Sequence, residues 1–332
     1  MNPLRFLLTS GLKRSQLAQK NGGFTLIEVL VAMILAALVI GPLLGFMINI
    51  LESDRREQAK AASEQEIKAA LDYIAQDLSQ AVYVYDAAGL NNLSTAATPG
   101  IKDQIPPTKA VGNCNSITTC KPVLVFWKRK LLTSAEVGTL TGGNDAFVYS
   151  LVGYYLINDV AVNDNWSNTA RIGRFEIKDG IRSPNTSGTA RVEGTSTVYY
   201  KQLPDKGFQL FDLSIPGNLS TKMNQWKQHP QGYDIAKITN HPINSVLIDY
   251  VDQTAQGAAC PTTTPAQNPT SSTPGFYACV DATGTTAQVF IRGNALQRVR
   301  NLSTPPIYSP NQSTYFPTAS IRIQGRGFLY TK

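Results

Sequence analysis

Hydrophobic and polar positions divide the chain into four regions. A short polar and basic start is followed by one long apolar run. Next comes a stretch with a single apolar face, then a long remainder of strand-like segments. From Phe24 to Leu51, 28 residues, the only charge is Glu28. That run exceeds the roughly 20 residues needed to cross the hydrocarbon core of a bilayer, so it predicts a transmembrane helix over 24–51. From 52 onward polar residues return, yet neither Gly nor Pro occurs through Tyr85. Ile67, Ala70, Leu71, Ile74, Leu78, Ala81, Val82 and Tyr85 recur at spacings of three and four or close to them. This predicts that the helix continues over 52–86 with one face against a globular domain. Residues 53–66 are polar nearly all round, as in a solvated helix, and Glu64 precedes Lys68 at the favourable i,i+4 spacing.

Beyond the helix the period shortens. Gly89 to Lys121 is rich in turn residues, including Pro106-Pro107, and predicts a long loop. Strands are predicted at Val123–Lys130, Ala146–Ile157, Arg171–Lys178, Val198–Tyr200, Ser245–Val251, Gln288–Arg292 and Ser320–Gln324. In the third, Ile172, Phe175 and Ile177 are the expected inward groups. Strands that follow one another without helices imply an antiparallel sheet. The expected fold is therefore α+β, a long N-terminal helix packed on an antiparallel β-rich domain over 87–332. Loops are expected at 87–121, 253–275 and 301–317, the last two from their Thr, Pro, Gln and Ser content.

Composition alters this picture little. The chain of 332 residues is 42% hydrophobic and 16% charged, which is globular usage. Its net charge is +7, but Arg5, Lys13, Arg14 and Lys20 lie in the first 23 residues with no acid beside them. The remainder carries +3 and no Lys/Arg-rich block, so nucleic acid is not an expected partner. Cys114, Cys120, Cys260 and Cys279 lack metal-like spacing. Outside the cytoplasm they could form two disulfides, and the local pairing 114–120 with 260–279 is the simplest of three connectivities. Free buried thiols are the alternative.

The order of the N-terminal features differs from a secretory signal peptide, in which the apolar region precedes the cut site. Here the basic part ends in Asn21-Gly22-Gly23 and the apolar run follows it. A cut after Gly23 would remove the charges and keep the helix. The leader's cations favour a cytoplasmic N-terminus with the rest of the chain outside, in a single pass. Gly41-Pro42 and Gly45 should weaken or kink the helix. Glu28 is the informative residue, because a carboxylate at membrane depth costs several kcal/mol unless paired or protonated. A free amine on Phe24 would be a natural cationic partner, within the chain or on a neighbouring subunit. Snorkelling of Glu28 to the headgroups is the plainer account.

Gly23-Phe24-Thr25-Leu26-Ile27-Glu28, with a basic leader before it and an apolar helix after it, resembles the prepilin signature of type IV pilins and type II secretion pseudopilins. The resemblance implies a cut between Gly23 and Phe24 by a membrane prepilin peptidase, N-methylation of Phe24 and an assembly role for Glu28. It implies as partners other pilins through the helix and an inner-membrane assembly platform. Pro42 lies a few residues short of the family's usual proline. The stretches Gly41–Met47, Asp54–Lys60 and Ser63–Ile67 are similar to cyanobacterial hormogonium polysaccharide secretion pseudopilins of the B type. Tyr154-Tyr155-Leu156 followed by Ile172-Gly173-Arg174-Phe175 resembles the hairpin of larger minor pilins of the W and J types. The implied role is a non-enzymatic subunit of a pilus-like machine that supports polysaccharide secretion and surface motility. A globular part of this size fits a major structural pilin poorly.

Catalytic patterns are weak. His229 and His241 each precede a proline, match no metal or triad spacing and read as surface histidines. Asn163-Asp164-Asn165 offers oxygen ligands but no EF-hand spacing, so no metal or cofactor is expected. Gly325-Arg326-Gly327-Phe328 reads as a strand end. Trp166 and Trp226 could stack on sugars, though partly buried core positions account for them better. The alternative function is a signal-anchored extracytoplasmic polysaccharide-binding module or enzyme.

Overall fold

The computed structural model describes residues 23–108, 114, 116–132, 146–158, 166–183, 186–232, 245–255, 260, 266–269 and 274–326. The chain divides into two units, residues 1–54 and 55–332. Helix α1, Leu26–Leu78, contributes to both. In the first unit it runs through Gly41, Pro42 and Gly45 without a break in its helical assignment.

The second unit is α+β, with three antiparallel sheets. The largest has the order β1-β2-β3-β4-β8, from β1 Ala81–Val84, β2 Cys120–Leu132, β3 Ala146–Ile157, β4 Ala170–Lys178 and β8 Ser245–Val251. A three-stranded sheet, β5-β7-β6, comprises Ile181–Arg182, Ser196–Gln202 and Thr189–Glu193. A four-stranded sheet, β12-β11-β10-β9, comprises Thr318–Gln324, Thr286–Arg292, Phe276–Asp281 and Ala266–Asn268. The expected pairing of 154–156 with 172–174 is present, with Tyr154 opposite Arg174 and Leu156 opposite Ile172.

Both faces of the five-stranded sheet are covered. On one face Leu124, Phe126, Val152 and Ile172 join Ile67, Leu71, Ile74 and Leu78 of α1 and Phe276, Val280, Val289 and Ile291 of the four-stranded sheet. On the other, Val125, Trp127, Leu151, Phe175 and Ile177 meet Ile101, Ile105, Phe208, Phe211 and Trp226. Alternate residues thus enter two different cores, so Ile172 faces one way and Phe175 with Ile177 the other. This is why Val123–Trp127 reads as an unbroken apolar run. Close packing along α1 also depends on Gly293, where a Cβ would stand 2.4 Å from Ser63 Oγ.

Several expectations need correcting. The helix stops at Leu78, and the Ala81–Val84 stretch placed on it is strand β1, paired with 126–128 of β2. Val and Tyr favour a pleated, buried surface, and pairing with β2 satisfies their backbone groups. The expected loop at 87–121 begins with a short helix, α2, Ala87–Asn91, capped by Asp86, whose carboxylate accepts from Gly89 N at 2.8 Å. Its Ile101 and Ile105 are fully buried. Strand β9 lies inside the expected 253–275 loop, and strands β5, β6 and β10 and two further short helices also appear. These helices, α3 Leu219–Asn224 and α4 Ala295–Arg300, are capped by Asn218 and Asn294.

Both cysteine pairs are bonded, Cys114 to Cys120 and Cys260 to Cys279. In the chain-entropy model the longer bridge stabilises by roughly 3 kcal/mol. His229 is a buried residue, at variance with a surface role: its ring contacts the Val192 carbonyl at 3.0 Å. Trp226 is likewise core, donating to the Gln209 carbonyl and packing edge-on against Trp127. Trp166 is half-buried with the Arg171 guanidinium 5.8 Å from its ring centre. His241 and Asn163-Asp164-Asn165 lie outside the described residues.

Candidate assembly helix and processing segment

The start of α1 is fixed by Thr25. Its carbonyl accepts from Glu28 N at 3.0 Å and Val29 N at 3.2 Å, and its Oγ1 accepts from Glu28 N at 3.3 Å. Thr25 is thus the N-cap, three residues before a Glu, the spacing of a capping box. Gly23 and Phe24 precede the helix and are exposed, and nothing lies within 4 Å of a Cβ built on Gly23. The Gly23–Phe24 bond is therefore non-helical and sterically open.

Every residue from Phe24 to Leu51 is exposed, with Leu26 85% and Phe24 78% accessible. The helix is long and apolar enough to cross a membrane, and its most apolar window is not buried at all. At roughly 25 cal/mol per Å² this surface would be strongly disfavoured in water. Lipid or other apolar helices must cover it. Among the described residues the Glu28 carboxylate has no partner, so its charge needs an outside counterpart in an apolar setting. It also lies in the first helical turn, where the helix dipole favours an anion. No Cβ added at Gly41 or Gly45 would meet an atom within 4 Å, so that side is open.

In the second unit α1 ends on a buried charge cluster that no sequence window reveals. Asp77 accepts from Lys128 Nζ at 2.9 Å, Arg174 Nε at 2.8 Å and Tyr154 Oη at 2.7 Å. Glu176 receives Lys128 at 3.0 Å and Arg174 at 2.8 Å. The four charged residues are each less than a tenth exposed. Burial pushes the Asp77 carboxyl up, but the Arg174 hydrogen bond and the charges of Lys128 and Arg174 outweigh it and hold it below the usual carboxylate range. Burial also opposes ionisation of Glu176, and Lys128 and Arg174 again reverse the sign. Asp77 comes from α1, Lys128 from β2, and Arg174 and Glu176 from β4. With Tyr154 from β3, the cluster ties the end of α1 to three strands. Nearer the middle of α1, Glu66 is paired with Arg298, whose guanidinium stacks over Tyr250.

The Gly325-Arg326 stretch is a strand end: Gly325 N donates to Thr285 O, and Arg326 N to Ser79 O. Among the described residues no group of three or more His, Cys, Asp or Glu side chains is arranged to hold a metal.

Residues 18–44 match the family model described as the prokaryotic N-terminal methylation motif. Comparison with curated proteins and with solved structures finds no match. The matched segment contains Gly23, Phe24, Thr25, Glu28 and Pro42 and coincides with the exposed helix start. The motif supports a type IV pilin-like protein, a pilin- or pseudopilin-like subunit that associates with pilins after prepilin peptidase processing.

Proposed function

We propose that this chain is a pseudopilin or minor pilin, a non-enzymatic subunit of a pilus-like machine. In that role it is inserted once in the plasma membrane, with its leader in the cytoplasm and its β-rich domain outside. Prepilin peptidase cuts after Gly23, and Phe24 becomes the methylated N-terminus. The observation that carries the reading is an open Gly-Phe bond directly before an uncovered apolar run, 24–51, whose only charge, Glu28, has no partner among the described residues. A free amine on Phe24 of a neighbouring subunit supplies the missing cation. One such contact per interface would set the axial register between helices, because a buried carboxylate tolerates few positions. The resemblance to hormogonium pseudopilins directs the machine toward polysaccharide secretion and gliding motility.

The Glu28→Ala variant tests the assembly role. It should still be processed, because the substitution leaves the Gly23–Phe24 bond open, but recover partner pilins at least about tenfold less in pull-downs, a loss of about 1.4 kcal/mol. Undiminished recovery would remove Glu28 from assembly. Deleting the gene should reduce secreted polysaccharide and colony spreading together; normal secretion would separate the chain from that pathway.

A further inference from the structure

Asn268 is the last residue of β9, and Pro269 follows it. Asn268 is 1% exposed. Neither Nδ2 nor Oδ1 of its amide has a hydrogen-bond partner among the described residues. An unpaired polar group buried in this way costs roughly 1–3 kcal/mol, and native folds keep few of them.

The backbone of the same residue, in contrast, is held. Arg292 N donates to Gly275 O, which continues the β10–β11 register and sets its phase. Hydrogen-bonded pairs alternate along an antiparallel ladder. Ala278 therefore turns its N–H and C=O away from β11 and toward β9, where it stands opposite Asn268. The Asn268 carbonyl oxygen accepts from the Ala278 N–H.

An asparagine can close a five-membered ring with the main chain in two ways. In the usual one the nitrogen of the next residue attacks the side-chain carbonyl, and the asparagine is deamidated. Pro269 has no N–H, so that route is closed. The other is attack by Nδ2 on the main-chain carbonyl carbon of the same residue, and it breaks the chain.

We infer that the chain cuts itself between Asn268 and Pro269. Nδ2 of Asn268 bonds to its own carbonyl carbon. The C–N bond to Pro269 breaks, and its electron pair stays on the Pro269 nitrogen, which takes up the proton that Nδ2 loses. The first piece then ends in a succinimide and the second begins with a secondary amine. Water enters only afterwards, when the ring opens. Nucleophile and carbonyl belong to one residue, so their encounter is already arranged. The Ala278 N–H sits on the oxygen where charge gathers in the tetrahedral intermediate. Ring closure also turns an amide with two unpaired N–H groups into an imide with one, which lowers the burial penalty. Pro269 is half-buried, so its new amine meets solvent, is protonated at neutral pH and no longer attacks the ring.

The fold holds the two ends together. Cys260 and Cys279 lie on opposite sides of the bond and are joined. Residues 266–268 stay paired with β10, and Gln267 Nε2 donates to Pro269 O at 3.2 Å across the cut.

The test uses the full chain, purified from membranes with protease inhibitors and kept at neutral pH for several days. Without reductant it should run as one species. With reductant it should separate into a piece ending at Asn268 and the piece Pro269–Lys332. Mass spectrometry should find the first piece as the succinimide, one water lighter than a hydrolysed end, or as the mixture of asparagine and isoasparagine ends left when the ring opens. Asn268→Ala removes only an unpaired amide and should reduce the cut at least tenfold. Pro269→Ala restores the missing N–H and should divert the reaction to deamidation of Asn268 in an uncut chain. A chain that stays whole under reductant, a cut at another bond instead, equal cutting of Asn268→Ala, or a first piece with only an ordinary asparagine α-carboxylate would each overturn the inference. Should Asn268→Ala fail to fold, the unsubstituted chain decides by itself, through its pieces under reductant and the chemistry of their ends.

Discussion

Replacing Asp77 by Asn isolates what holds the end of α1 to the sheet. The side chain keeps its shape but loses its charge. Two carboxylates balancing two cations become one carboxylate facing Lys128 and Arg174, all less than a tenth exposed. Three short contacts weaken together, at 2.9, 2.8 and 2.7 Å. Breaking a buried ion pair by removing one partner costs about 3–5 kcal/mol, because an uncompensated charge is left inside. Domain stabilities are about 5–15 kcal/mol, so the change consumes a large fraction of the total. The assay is urea unfolding of a fragment beginning at Arg55, which contains both apolar cores. Its midpoint should fall with an unchanged slope. Charge balance supplies the sharper check. In the double variant Asp77→Asn/Lys128→Met, Arg174 keeps Glu176 as its only charged partner, so the loss should be about 2 kcal/mol smaller than the sum of the single losses. A single-variant loss under about 1 kcal/mol, or strict additivity, would refute the claim that the cluster acts as a unit.

Three other outcomes follow from the same structure. The carboxyls of Asp77 and Glu176 titrate below their ordinary values of 3.8 and 4.5, so the unfolded chain binds more protons than the folded one as pH drops through that range. Stability of the fragment should therefore be flat near neutrality and decline below about pH 5, with a shallower acid limb in Asp77→Asn. Gly293→Val should destabilise the fragment by about 1–3 kcal/mol through overpacking against Ser63 and Ile67, measured by the same unfolding. Replacing Cys260 and Cys279 by Ser should cost roughly 3 kcal/mol, with the expected midpoint shift vanishing under reductant.

The parts of the fold that were legible in the sequence are those in which one physical signal acts alone. The exposed helix was visible because a single charge in 28 residues has few explanations. Strand β3 was visible because Val, Tyr, Leu and Ile dominate it, and β4 because Ile172, Phe175 and Ile177 stand among polar residues. The end of α1 was not, because Ala81 and Val82 extend the helical spacing of Ile74 and Leu78 while also suiting a buried strand. Two-sided burial erased alternation in β2, and the alternation of β6, Thr-Ala-Arg-Val-Glu, runs over only five residues, too few to stand out from loop sequence. Buried His229 illustrates another limit, since its partner, the Val192 carbonyl, is 37 residues distant. Of the candidate site, the processing and assembly residues were readable from one contiguous motif. The Asp77 cluster was not, because its five members come from α1, β2, β3 and β4, and nothing local distinguishes them from solvated charges.

Mass spectrometry of the mature N-terminus tests the central claim most directly. Purified from its own membranes, the chain should begin at Phe24, with one added methyl group on the amine and no trace of the 23-residue leader. A chain that keeps the leader, or begins at any residue other than Phe24, would contradict the account.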